Sequence, residues 1–159
     1  MKLKKLIISN YRCFKEAEID FDDYITLVVG KNGAGKTAIL DAVAVSVSTF
    51  LLGTDSGVSR SILKDDARYE FHDLNGTIDP QHQFPVSIES IGDCLDQKNV
   101  KWIRSLNSES GKTTIKDAGE LTDLAKKVQN QIMTGDKSLI LPLISYYGTG
   151  RLYAQKREI

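Results

Sequence analysis

The spacing of hydrophobic and polar positions changes several times along this chain, and each change predicts an element. Ala17, Ile19 and Phe21 alternate strictly with Glu16, Glu18, Asp20 and Asp22. That period of two belongs to a strand with one apolar and one charged face, and residues 2–8 read as its partner strand. Next, Tyr24-Ile25-Thr26-Leu27-Val28-Val29 is a nearly continuous β-rich run that stops at Gly30, the pattern of a buried parallel strand. From Lys36 onward the period lengthens. Ile39, Leu40, Val43, Val47, Phe50 and Leu51 fall on one helical stripe, with Gly53 placed to end it, so residues 30–36 form a loop between strand and helix.

Further along, residues 68–72, 84–91 and 99–106 have strand character. Turn signals at Asn75-Gly76, Gly92-Asp93 and residues 107–111 separate them, which predicts an antiparallel β layer. Asp117 followed by Glu120 has the form of a capping box opening a second helix. Leu121, Leu124, Val128 and Ile132 supply its stripe and Gly135 its end. Residues 139–147 read as another buried strand, with Pro142 near its start, running into Gly148-Thr149-Gly150-Arg151. The predicted class is α/β, in three segments: a hairpin, strand, loop and helix over 1–53, a β-rich layer over 54–116, and a helix and core strand over 117–159.

Composition narrows this picture. The chain has 159 residues, 41% hydrophobic and 26% charged, which excludes a disordered chain and allows a core without staples. Cys13 and Cys94 do not make a disulfide framework and read as buried free thiols of a reducing compartment. The N-terminus starts with a positive charge, but its apolar run ends at Ser9, short of the roughly 7–15 positions an export signal needs. No later stretch approaches the roughly 20 needed to span a bilayer, so a cytoplasmic protein without a membrane partner is expected.

Lys+Arg 21 against Asp+Glu 21 gives a net charge of zero. Within that balance Lys2, Lys4, Lys5, Arg12 and Lys15 precede five acids between Glu16 and Asp23. These lysines suit either DNA contact or cross-strand pairing, and pairing explains them without a partner. His72 and His82 have no third ligand at a metal-binding spacing, and Trp102 reads as a core residue.

The chemistry lies in Gly30-Lys31-Asn32-Gly33-Ala34-Gly35-Lys36-Thr37, a complete G-x-x-x-x-G-K-[ST] between a predicted strand and helix. Gly30, Gly33 and Gly35 allow a tight turn whose amides point inward, and with the helix N-terminus they make a cradle for phosphate oxygens. Lys36 brings a cation to the β and γ phosphates, and the Thr37 hydroxyl is the predicted Mg²⁺ ligand. ATP and Mg²⁺ are therefore the expected cofactors, with Lys31, Asn32, Ala34 and Ala38 completing the binding segment. Gly111-Lys112-Thr113 repeats G-K-T, but Leu106 occupies the position of the first glycine and no helical stripe follows, so it reads as a hairpin loop. Hydrolysis also needs an acid after an apolar run. Ile62-Leu63-Lys64-Asp65-Asp66 has too few apolar residues and residues 139–147 end without an acid, so no catalytic carboxylate is recognisable.

Residues 6–14, Leu-Ile-Ile-Ser-Asn-Tyr-Arg-Cys-Phe, followed by the loop and Ala38-Ile39-Leu40-Asp41-Ala42, resemble the start of an ABC-type ATPase head of the SMC, Rad50 and RecF kind. Residues 146–152 also resemble a segment of the bacterial AAA-type defence ATPases of the PtuA and OLD-like branch. The resemblance implies a P-loop NTPase lobe with a core sheet, one phosphate-loop helix and an antiparallel layer, forming the N-terminal part of an incomplete head. It implies ATP-driven head-to-head homodimerisation acting on DNA or on an effector nuclease, in repair or anti-phage defence. It places Asn10 and Arg12 near the nucleotide and the turn at Thr149–Arg151 near the γ-phosphate. The Asp-Glu and Ser-Gly signature motifs of such heads are absent, so the isolated chain is expected to hydrolyse ATP weakly or not at all. Two alternatives remain: a stand-alone P-loop kinase, with Arg151 and Arg157 as lid candidates, and a non-hydrolysing nucleotide sensor that docks a partner.

Overall fold

The computed structural model describes residues 1–55, 57–74, 77–135 and 139–148, except for the Leu74 side chain. Its centre is a four-stranded antiparallel sheet in the order β2-β1-β5-β6, made by β1 (Lys2–Tyr11), β2 (Phe14–Asp20), β5 (Val86–Cys94) and β6 (Gln97–Leu106). A separate hairpin pairs β3 (Tyr69–Leu74) with β4 (Thr77–His82). Helix α1 (Lys36–Ser48), continued by a 3₁₀ turn to Gly53, and helix α2 (Gly119–Met133) complete the described elements.

The sheet has the two-faced pattern that alternation demands. Leu6 and Ile8 of β1, Val86, Ile88, Ser90 and Cys94 of β5, and Val100, Trp102, Arg104 and Leu106 of β6 are all buried. Leu6, Ile8, Val86, Ile88 and Leu106 pack with Ala38, Ala42 and Val45 of α1, while Cys94, Val100 and Trp102 form a second cluster with Phe50 and with Leu121, Ala125 and Val128 of α2. Small residues let helix and sheet approach closely enough for polar locking: the Ser90 hydroxyl lies 2.7 Å from that of Ser46, and Trp102 Nε1 donates to the Ser46 carbonyl at 3.0 Å. That carbonyl belongs to the last turn of α1 and also accepts from the Thr49 amide at the helix C-cap. Trp102 is thus a core residue, as expected.

The outer face carries the charges, and they are paired. Lys2 bonds Asp23, Lys4 bonds Asp93 at 2.7 Å, and Lys5 bonds both Glu18 and its register partner Asp20. Cross-strand pairing therefore accounts for the N-terminal lysines.

Several expectations are corrected. Residues 24–29 and 139–147 form no strand and join no described sheet: Tyr24 is 93% and Leu143 95% exposed. An Asx turn, in which Asp22 Oδ1 accepts from the Tyr24 amide, carries the chain out of β2 instead. The predicted α1 stripe is displaced as well. The small-residue face is the buried one, while Leu40 is 49% exposed, because the helix is apolar nearly all round and close packing selects the smaller side chains. The 18 residues Lys36–Gly53 are apolar enough by length and composition to span a membrane, contrary to the reading above, yet Ala42, Val45, Ser46 and Thr49 within them are fully buried in this core.

Strand β4 had not been anticipated, and the turn between β5 and β6 falls at Leu95-Asp96, with Leu95 at φ 54°, rather than at Gly92-Asp93. The Asn75-Gly76 turn lies outside the described residues. No capping box opens α2: a 3₁₀ turn at Lys116–Ala118 leads into it and Ala118 is the N-cap. Gly135, at φ 82°, does end that helix. Cys94 is buried as expected, but Cys13 is exposed.

Gly53 has a different role from helix termination alone. A Cβ there would lie 2.2 Å from the Thr122 carbonyl oxygen and 2.6 Å from Ala125 Cβ, so α2 crosses directly over it. Gly53→Ala is expected to lower unfolding free energy by about 1–3 kcal/mol through overpacking, read as a lower urea midpoint with unchanged slope.

Asp93 holds a second expectation. Hydrogen bonds from Lys4 and from the Asn99 amide keep its carboxyl well below the ordinary value of 3.8. A carboxyl lowered on folding stabilises above its unfolded value and loses that contribution as pH falls. Thermal unfolding of the chain should therefore shift down as pH drops below about 4, and Asp93→Asn should make that decline shallower.

Candidate functional site

The phosphate-loop sequence forms a turn leading directly into α1. Gly33 and Gly35 stand at φ 83° and 88°, the left-handed region that side chains disfavour, and Gly35 is the N-cap of the helix. The first i→i−4 bond runs from the Ile39 amide to the Gly35 carbonyl at 3.0 Å, which leaves the amides of residues 36–38 ahead of the helical ladder. The Lys36 ammonium donates to the Gly30 and Lys31 carbonyls, at 2.6 and 2.8 Å. Lys31, Asn32, Gly33, Ala34 and Thr37 are exposed at the mouth of the turn. Left-handed glycines, free helix amides, a lysine on the loop and a hydroxyl beside it are the donor set a triphosphate and its metal require, so the residues fit ATP·Mg²⁺.

The tip of the β1–β2 hairpin closes one side of this turn. An added Cβ on Gly35 would lie 2.6 Å from the Phe14 ring and 2.7 Å from Cys13 Sγ. What fixes the tip is Arg12, itself at φ 51°. Its Nε donates to Asp66 at 2.8 Å and an Nη to Asp41 at 2.5 Å, while its own amide donates to the Asp66 carbonyl at 2.7 Å. Burial opposes the charge on this guanidinium, but the hydrogen bond it donates to Asp66 and the neighbouring carboxylates outweigh it, and its pKa rises above the ordinary value. Tyr11 beside it is buried, and desolvation raises its phenol strongly. Asn10, at φ 50°, donates through Nδ2 to the Pro85 carbonyl at 3.2 Å.

Asp41 is the feature that motif reading missed. It lies five positions after Lys36 on α1 and is almost fully buried. Its carboxylate pairs with Arg12 and with Arg60 at 2.9 Å and accepts from the Tyr146 hydroxyl. Arg60 also lies over the Tyr146 ring, 5.0 Å from its centroid. The signals in the sequence were an acid standing within a largely apolar helix and its place in the Leu40-Asp41-Ala42 continuation of the loop. The structure thus sets the hairpin tip, through Cys13 and Phe14, against Gly35, with Arg12 engaged by carboxylates and the Asn10 side chain bonded to Pro85 instead. Thr149, Gly150, Arg151 and Arg157 lie outside the described residues. His82 is stacked with Phe84 and tilted against Tyr69, and no group of three potential metal-ligating side chains occurs among the described residues.

This arrangement, a phosphate loop opening a helix that packs on an antiparallel sheet, has the form of a P-loop nucleotide-binding lobe. The AAA_23 family, described as an AAA domain, matches residues 5–159, and the chain belongs to that family. It is 28% identical over 144 residues to the DNA replication and repair proteins RecF of Mannheimia succiniciproducens and of Actinobacillus pleuropneumoniae, and 25% identical to that of Histophilus somni. In each case 89% of this chain is matched but only 35% of the relative, so the chain spans about a third of their length. A solved chain from work on ATP-driven dimerization and DNA-stimulated activation of SMC ATPases superposes with a TM-score of 0.51 at 20% identity, over 79% of this chain and 80% of that one. The fold is therefore that of an SMC/RecF-like N-terminal lobe.

Removing the Asp41 carboxylate leaves Arg12 and Arg60 facing one another without their shared acceptor. Because both arginines reach solvent, Asp41→Ala is expected to lower stability by roughly 2–3 kcal/mol, below the loss for a fully enclosed pair. Chemical denaturation measures this, and Asp41→Glu should recover little because the two contacts are short.

Proposed function

We propose that this chain is the N-terminal lobe of an ATPase head that binds ATP·Mg²⁺ through residues 30–37 and, in the whole protein, couples nucleotide binding and head dimerisation to action on DNA. The observation that carries this reading is the phosphate-loop helix with one face packed and the other open. Its small side chains lie on the antiparallel sheet, while Leu40 faces solvent and the apolar runs 24–29 and 139–147 join no described sheet. Two β-rich runs and an apolar helix face left together suit a second, parallel layer whose remaining strands come from a segment outside these 159 residues.

In the loop, the amides of residues 33–38 would receive phosphate oxygens, Lys36 would exchange its carbonyl acceptors for the β and γ phosphates, and Thr37 would hold the metal. When bound, the nucleotide supplies a polyanion and a hydrolysable anhydride. Asn10 and Arg12 line the neighbouring hairpin tip, where Arg12 is positioned by Asp41 and Asp66. Repair is the favoured setting over anti-phage defence with an effector nuclease, because the matched relatives are repair proteins. Two free cysteines suit a cytoplasmic location. The kinase alternative lacks support among the described residues, since its lid candidates lie beyond them.

The full chain should bind Mg·ATP in a titration calorimeter, Lys36→Ala should abolish that binding, and turnover should be weak with either. Robust Lys36-dependent turnover by this chain alone would overturn the reading as a lobe, and absence of Lys36-dependent binding would overturn the reading as a nucleotide site.

A further inference from the structure

On the far side of α1 from the nucleotide loop, Arg104 presents a problem of charge. It sits on the buried face of β6 between Trp102 and Leu106 and is only 2% exposed. A guanidinium so deeply placed ordinarily faces a carboxylate, because an uncompensated buried charge is strongly unfavourable. Here its Nε donates to the Thr114 carbonyl at 2.8 Å and an Nη to the Thr49 hydroxyl at 3.1 Å, both neutral oxygens. Among the described residues it makes no ion pair. Desolvation accordingly pulls its pKa below the ordinary value, although an arginine remains charged.

Arg104 is also among the residues lining a cavity of about 470 Å³ between residues 57–63 and 111–115. Among the described residues, no Asp or Glu contributes to its walls. Lys112 does, and it makes no ion pair among the described residues, while Ser59 and Ser61 bring hydroxyls from the opposite side. Lys112 belongs to the G-K-T sequence that is not a phosphate loop. The turn there is closed by the Gly111 amide donating to the Ser108 carbonyl, and Thr113 exchanges hydrogen bonds with the Ile62 backbone across the cavity floor. Two cations and three hydroxyls around one volume, with no acid among the described residues, form an anion site in charge and donor chemistry. Its size exceeds a bare phosphate and lies within the range of small-molecule pockets.

We propose that this cavity binds a small phosphate monoester, with the phosphate held by Arg104 and Lys112 and the remainder of the molecule lying against Val58 and Ile115. The site is separate from the nucleotide loop, and it stands or falls independently of it.

The test uses the full chain carrying Lys36→Ala, so that the nucleotide loop does not compete. Inorganic phosphate, ribose 5-phosphate and ribose are titrated while the Arg104 Nε–H and the amides of Ser59, Ser61 and Lys112 are followed by NMR. Saturable shifts at those four groups are expected with both phosphates, tighter for ribose 5-phosphate, and none with ribose. Lys112→Ala, a change at the exposed rim, should weaken binding about five-fold while leaving the spectrum folded. Shifts that rise without saturation, shifts confined to residues 30–38, or affinity unchanged by Lys112→Ala would overturn the proposal.

Discussion

The carboxylate of Asp41 is the contact on which the arrangement of this lobe depends. It is buried on α1 about 7.5 Å along the helix axis from Lys36, at the standard rise per residue. From that point it reaches three separate stretches of chain: the hairpin tip through Arg12, the segment after the 3₁₀ turn through Arg60, and the C-terminal run through Tyr146. None of these would be held near the phosphate loop by sequence alone. A carboxylate can serve all three because its two oxygens offer about four acceptor positions. Arg12 then passes the constraint on to Asp66, whose second oxygen accepts from the Leu63 amide and fixes the turn there. The geometry around Gly35 is thus set by a charge network one and a half helical turns away from the glycine itself.

A second constraint comes from the shape of α1. A helix that is apolar all round must be covered all round or leave an open face. The antiparallel sheet covers the side bearing Ala38, Ala42, Val45 and Ser46, and it gains from their small size, because Ser46 can then meet Ser90 and Trp102. Of the larger side chains, Val43 and Phe50 also reach the described core, and Leu40 is the one left exposed among the described residues of α1.

That packing explains what was legible in the sequence. The β1–β2 hairpin, α1, α2, β5 and β6 were all visible, since period and turn chemistry are local properties that nearby packing respects. The phosphate loop was visible because its glycines and lysine are fixed by ligand geometry. Residues 24–29 and 139–147 were read as buried strands from their composition, yet among the described residues they pair with no strand and are largely exposed, because composition reports apolar character and not pairing. The α1 stripe was misplaced for a related reason: a search by hydrophobicity weights Leu40 and Val43 above Ala42 and Ser46, whereas close helix–sheet packing favours the small residues. The Asp41 network was illegible because Arg12, Arg60, Asp66 and Tyr146 are brought together only by the fold.

The cations show why a net charge of zero says little about partners. Lys2, Lys4 and Lys5 rest on carboxylates, so the basic N-terminal strand is neutralised within its own sheet. Lys36 and Arg104 are different, because both rest on neutral oxygens: backbone carbonyls for one, a carbonyl and a hydroxyl for the other. A charged oxygen is a stronger acceptor than a neutral one for the same donor. An incoming oxyanion would therefore have to displace an existing carboxylate at the surface lysines but only a carbonyl at Lys36. The distribution of acceptors, rather than the sum of charges, singles out where this molecule is prepared to receive an anion.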